Sequence, residues 1–98
     1  MENSNRISVE EYCTFYSIEA SFVQQLNDYG LIEVGYTEKE SFITYDQLPD
    51  LEKYTRMHYD LEINIPGIEA INHLLKRVQY LQREVKRLRE ETGNNQSA

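Results

Sequence analysis

From Ile65 to Glu91 apolar residues recur at a strict seven-residue interval, and this repeat constrains the chain more than any other feature. Ile71, Val78 and Val85 make one series, and Leu74, Leu81 and Leu88 make the other. Taken as a and d, they give β-branched a positions and all-leucine d positions over three heptads, a combination that favours a two-stranded coiled coil. Arg77, Glu84 and Glu91 then fall at g, and Leu75, Gln82 and Arg89 at e, so Glu84 would lie beside Arg89 of a parallel partner. Ile71, Leu74, Val78, Leu81, Val85 and Leu88 are therefore the expected dimer interface on a long helix over residues 65–92. The competing reading is an amphipathic helix packed on its own domain, because three heptads is the shortest run that argues for a coil.

The rest of the chain must supply a core of its own. At 98 residues the chain makes one domain of modest size. No apolar run approaches the roughly 20 residues of a membrane span, and Met1-Glu2-Asn3-Ser4-Asn5 lacks signal-peptide character. The single cysteine, Cys13, excludes an internal disulfide and suits a reducing cytoplasm. The expected compartment is therefore cytoplasmic.

Ser8 reads as an N-cap with Glu11 as its capping-box partner, opening a short helix that carries Val9, Tyr12, Cys13 and Tyr16 inward. Ser17 or Glu19 opens a second helix, with Ile18, Val23, Leu26 and Tyr29 as its buried stripe and Gly30 at the C-cap. Two short helices across a tight turn are a helix-turn-helix signal. Leu31 to Val34 and Phe42 to Tyr45 read as the two strands of a wing. Asp46 is placed to cap a third helix reaching about Leu61, and Asn64 to cap the long one, with Pro66 in its first turn. The expected organisation is a flexible N-terminus (1–6), a winged helix-turn-helix domain (7–64), a dimerisation helix (65–92) ended by Gly93, and a disordered tail (93–98).

The order helix, helix, wing, helix, long helix resembles the MerR-type winged helix-turn-helix domain. Leu31-Ile32 after Tyr29-Gly30 looks like that family's exit from the second helix, and Phe42-Ile43-Thr44-Tyr45-Asp46 like its wing strand. The hinge Leu61-Glu62-Ile63-Asn64-Ile65-Pro66-Gly67-Ile68 is similar to the chaperone-modulator branch, the CbpM proteins. The fold class implied is mainly α, with a small two-stranded β-wing and a long C-terminal coiled-coil-like helix. CbpM-type proteins bind and inhibit the J-domain of a DnaJ-like co-chaperone, and the resemblance implies the same partner here. MerR-type dimers usually join through antiparallel helices, whereas the e and g charges favour a parallel pair. The strand orientation stays open.

Charge separates the two functions that such a fold supports. From Ile7 to Glu38 there is no Lys or Arg, against Glu10, Glu11, Glu19, Asp28, Glu33 and Glu38. A MerR-like transcriptional regulator, the alternative function, needs positive charge on the second helix and wing to neutralise phosphate. Where family members carry an Arg-Tyr-Tyr phrase and a wing Arg, this chain has Gln24-Gln25-Leu26 and Ile43. DNA is therefore not the expected ligand. A basic protein partner suits the same residues: J-domains present a Lys/Arg-rich helix, and complementary charge steers encounter. The expected partner-binding residues are Glu10, Glu11, Glu19, Gln25 and Asp28, with Phe22 as the favoured aromatic anchor and Tyr36 and Ile43 as weaker ones.

Catalytic chemistry has no foothold in the sequence. His58 and His73 are isolated, no HxxxH, CxxC or HExxH spacing occurs, and the four glycines are scattered rather than gathered in a phosphate loop. Adjacent Glu10 and Glu11 diverge on a helix instead of forming a carboxylate dyad. The expectation is a non-enzymatic protein binder without metal or cofactor.

Overall fold

The structure is a computed structural model and describes residues 5–92. Its elements are β1 (Arg6–Ser8), α1 (Val9–Tyr16), α2 (Ala20–Asp28), β2 (Gly35–Tyr36), β3 (Ser41–Thr44), a 3₁₀ turn (Tyr45–Gln47), α3 (Leu48–Tyr59) and α4 (Ile65–Thr92). The chain falls into two compact units, Met1–Ile68 and Glu69–Ala98.

Local rules account for most helix ends. Ser8 Oγ accepts from Glu11 N at 2.9 Å while the Glu11 carboxylate receives the Ser8 N–H, which closes a capping box. Ser17 takes the left-handed conformation (φ 57°) that ends α1 and turns the chain toward α2. Gly30 does the same after α2 at φ 75°, where a side chain would be strained. Asn64 Oδ1 accepts from Gly67 N at 2.8 Å, capping α4 one residue before Ile65, with Pro66 in the first turn.

The sheet has three strands rather than two, in the order β1-β3-β2 and antiparallel throughout. Arg6, Ile7 and Ser8 pair with Thr44, Ile43 and Phe42, while Gly35 and Tyr36 pair with Phe42 and Ser41. Arg6, expected within a flexible N-terminus, is thus a strand residue, and Asn5 O accepts from Tyr45 N at 2.9 Å. Residues 1–4, Gly93 and the tail 93–98 lie outside the described residues. Leu31 to Val34 are not a strand. Glu33 N donates to Gln47 Oε1 (2.7 Å) and Val34 N to Asn27 Oδ1 (3.0 Å), so side chains satisfy the donors that a ladder would have used. Phe42 lies across Gly35, where a Cβ would come within 2.3 Å of its ring, and Arg6 covers the ring at 4.1 Å.

The core of the first unit gathers Val9, Tyr12 and Cys13 from α1, Phe22, Val23 and Leu26 from α2, Ile43 from β3, and Leu51 and Tyr54 from α3. Ile65 and Ile68, in the first turn of α4, complete it. Tyr12 and Tyr54 are fully enclosed, whereas Tyr16 and Tyr29, expected inward, are exposed. Asp46 lies in the 3₁₀ turn and does not cap α3, whose N-cap is Gln47, and α3 stops at Tyr59, leaving Leu61 exposed.

One buried polar pair crosses this core. Tyr12 Oη and Thr55 Oγ1 are 2.9 Å apart, and Thr55 Oγ1 donates its only proton to Leu51 O at 2.7 Å. Thr55 must therefore accept from Tyr12. Burial pushes the Tyr12 phenol up to about 12, which keeps it a neutral donor at physiological pH. Thr55→Val should cost about 1–3 kcal/mol by leaving a buried O–H without an acceptor. Tyr12→Phe removes that donor while Thr55 keeps its own bond, and should cost no more than about 1.5 kcal/mol. Urea denaturation of both variants checks the order; a larger loss for Tyr12→Phe would refute the donor assignment.

Candidate functional site

The outward row of α2 consists of Ser21, Gln24, Gln25 and Asp28, spaced at helical intervals and all exposed. The wing joins this row: Tyr36 Oη donates to Gln24 Oε1 at 3.0 Å, and Gln24 Nε2 donates to Asp28 Oδ1 at 3.0 Å. Tyr36 is 63 % exposed, so its ring remains available while its hydroxyl is held. No lysine or arginine lies on α2. Near the wing the cations are Arg6, placed over Phe42, and Lys39, which stands between Glu38 and Glu40.

The acids are dispersed rather than pooled. Glu19 is the N-cap of α2 and Asp28 its last residue, so about 12–14 Å of helix separates them. Glu10 lies in the first turn of α1 and is exposed, but the carboxylate of its neighbour Glu11 is engaged in the capping box. Glu10, Glu19, Gln25, Asp28 and Tyr36 are thus surface positions, with Glu11 partly committed to holding its own helix.

Two of the expected anchors are not on the surface. Phe22 is 3 % exposed, stacked on His58 with centroids 4.7 Å apart and edge-on to Tyr59 at 5.3 Å. Ile43 is 0 % exposed, because it faces inward from the central strand of the sheet. Neither can anchor a partner in this conformation. His58 is itself placed by the fold: its Nδ1 donates to Ile63 O at 2.9 Å, since a carbonyl can only accept. Among the described residues no group of three or more His, Cys, Asp or Glu is arranged to hold a metal ion. Cys13 is buried, and burial pushes its thiol up, away from the nucleophilic thiolate.

An exposed aromatic residue outside the expected set stands on α1. Phe15 is 78 % exposed, more than any other large apolar residue of the first unit. It packs edge-on against Tyr16 at 4.9 Å, and Tyr16 donates its hydroxyl to Glu52 Oε2 at 2.7 Å. Ile7, Tyr12, Phe15, Tyr16, Leu48 and Glu52 line a shallow apolar groove of about 260 Å³ between β1, α1 and α3. The available signal was positional: Phe15 falls outside the stripe of Val9, Tyr12 and Cys13, four residues after the exposed Glu11.

In the second unit the heptad seam is open. Leu74, Val78, Leu81, Val85 and Leu88 are 46–58 % exposed, and Ile71 is half-buried. Arg87 bridges Glu84 and Glu91 at 2.8 Å each, which holds the Glu84 carboxyl below its ordinary range. Glu84 is therefore engaged within its own helix, where the heptad pattern offered it to a partner's Arg89. No helix among the described residues is long and apolar enough to cross a membrane.

A helix-turn-helix with a small antiparallel wing and a long following helix is the arrangement of one regulatory family, MerR HTH family regulatory protein, whose model matches residues 7–90. The chain belongs to this family. Among the proteins it is similar to are chaperone modulatory proteins CbpM. The one from Pseudomonas putida (strain W619) is 26 % identical over 89 residues, covering 90 % of this chain and 88 % of that protein. The one from Pseudomonas entomophila (strain L48) is 24 % identical over the same shares. The resemblance read from the hinge at Ile63-Asn64-Ile65-Pro66-Gly67 is thereby supported along most of this MerR-type chain. The matching family is one of regulatory proteins, and these relatives are named as modulators, not as enzymes. No solved structure matches the chain.

Proposed function

We propose that this MerR-family protein is a non-enzymatic, homodimeric modulator that binds the J-domain of a DnaJ-like co-chaperone and blocks its access to the DnaK-type chaperone. The observation that carries the reading is the charge of the recognition face. In a winged helix-turn-helix the second helix would meet DNA, yet α2 presents Ser21, Gln24, Gln25 and Asp28 with an acid at each end. Phosphate contacts supply essentially all non-specific affinity for DNA and a large share of the specific affinity, and this face offers none. A Lys/Arg-rich protein helix meets no such barrier, and the net charge of −7 steers it inward. The names of the relatives agree with a role in modulating chaperones.

The reading makes a direct expectation. Titrating the purified full chain with the cognate J-domain by calorimetry at low salt should give saturable binding. The complex should weaken as salt is raised, and it should suppress stimulation of the chaperone's ATPase by the J-domain. Absence of saturable binding at tens of micromolar would overturn the reading, and saturable binding of a duplex by gel shift under the same conditions would return the chain to the class of DNA-binding regulators.

A further inference from the structure

We infer that the α1–α3 groove headed by Phe15, and not the outer row of α2, is where the basic partner helix docks. The inference rests on the reading above that the partner presents a basic helix, and it assigns that helix a seat. Single exposed apolar residues are ordinary on protein surfaces, so exposure alone decides nothing. What distinguishes Phe15 is that it is held. Its ring lies edge-on to Tyr16, Tyr16 stacks toward Tyr12 at 4.6 Å, and the Tyr16 hydroxyl is pinned to Glu52 at 2.7 Å. A preorganised aromatic side chain loses less conformational freedom on binding than a mobile one. By contrast α2 offers no large exposed apolar side chain, since Phe22, Val23 and Leu26 are all buried and only Ala20 is exposed.

The rim of the groove selects the sign of its occupant. Glu52 lines it, with one carboxylate oxygen bonded to Tyr16, and Glu11 stands one turn before Phe15 on α1 with Glu10 beside it. The cation facing the same region is Arg56, one turn beyond Glu52 on α3; Lys53 is engaged with Asp50 at 3.8 Å. Acids therefore outnumber cations around an apolar floor, which fits a helix carrying lysine or arginine at the flanks of one large apolar side chain. The chain's own basic amphipathic segment, α4, is a poorer occupant. Its apolar seam is a continuous leucine-valine row suited to another helix like itself.

The test titrates the J-domain into the full-length protein carrying Phe15→Ala, Glu52→Lys or, on the other face, Asp28→Lys. Phe15→Ala and Glu52→Lys should each weaken binding by at least about tenfold, the range of an interface anchor. The Glu52→Lys loss should be greatest at low salt, and Phe15→Leu should recover most of the affinity. Asp28→Lys should change it less than about threefold. The melting midpoint of Phe15→Ala should match that of the unmodified protein, because the side chain contributes little to the core. If the unmodified protein binds while Phe15→Ala and Glu52→Lys bind equally well and Asp28→Lys does not, the partner seat is α2 and this inference falls alone. If the unmodified protein does not bind, the J-domain reading falls and the groove assignment with it. A change of oligomeric mass caused by Phe15→Ala would give the groove to a second copy and overturn the assignment.

Discussion

Replacing Phe22 with alanine should unfold the winged domain rather than weaken a complex. Phe22 is 3 % exposed and touches both His58 and Tyr59, so truncation removes a buried ring and leaves a cavity between α2 and the end of α3. Phe→Ala in a core costs about 3–5 kcal/mol. A unit of 68 residues, at about 0.05–0.15 kcal/mol per residue, has only about 3–10 kcal/mol in total. The urea midpoint should therefore fall steeply, and at the lower end of that range the domain would be largely unfolded without denaturant. Phe15, seven positions earlier on α1, should behave in the opposite way, losing affinity while keeping its fold. Full native stability in Phe22→Ala combined with lost binding would show that Phe22 is a surface anchor after all.

The second large effect concerns α4. With five of the six seam residues 46–58 % exposed, one copy of this helix leaves a long apolar row in water. Leu81 stands at its middle, and Leu81→Asp places a charge where two copies would meet. The unmodified protein should run at twice the 11.6 kDa chain mass in light scattering, and Leu81→Asp at the single-chain mass. An unmodified monomer at tens of micromolar, or a Leu81→Asp dimer, would refute the pairing. The flanking charges then distinguish the orientations. In a parallel pair Glu84 meets the second copy's Arg89; in the antiparallel register that aligns all six seam residues it meets Arg77. Arg89→Glu should therefore weaken only a parallel dimer, and Arg77→Glu only an antiparallel one. Either contact must compete with the bond that Glu84 already receives from Arg87.

The parts of this fold that were legible in the sequence are those decided within a few residues. The Ser8–Glu11 box, the left-handed Gly30 and the Asn64 cap each satisfy helix-end groups from side chains nearby, so spacing alone reveals them. β1 was not legible, because its three residues become a strand only by pairing with Ser41–Thr44, some 36 positions away. Leu31 to Val34 are rich in branched apolar residues as a strand is, but Asn27 and Gln47 take the Val34 and Glu33 donors first. The misplaced anchor has a similar origin. Ile18 and Tyr29, expected in the inward stripe of α2, both lie outside the helix: Ile18 packs on the core from the preceding turn, and Tyr29 is exposed at the C-cap. With them removed, Phe22, Val23 and Leu26 are the apolar residues of one face, and Phe22 must turn inward.

The hydrogen-bonded row Tyr36–Gln24–Asp28 has a further consequence, for how such a protein diverges. None of the three side chains reaches the core, so their replacement is nearly neutral in folding free energy, as surface changes usually are. The face that a DNA-reading helix-turn-helix would turn to a duplex can thus drift in sequence without penalty to the scaffold beneath it. A lineage could exchange one class of partner for another through a handful of solvent-facing substitutions, while Leu26, Ile43, Leu51 and Ile68 hold the same architecture in place.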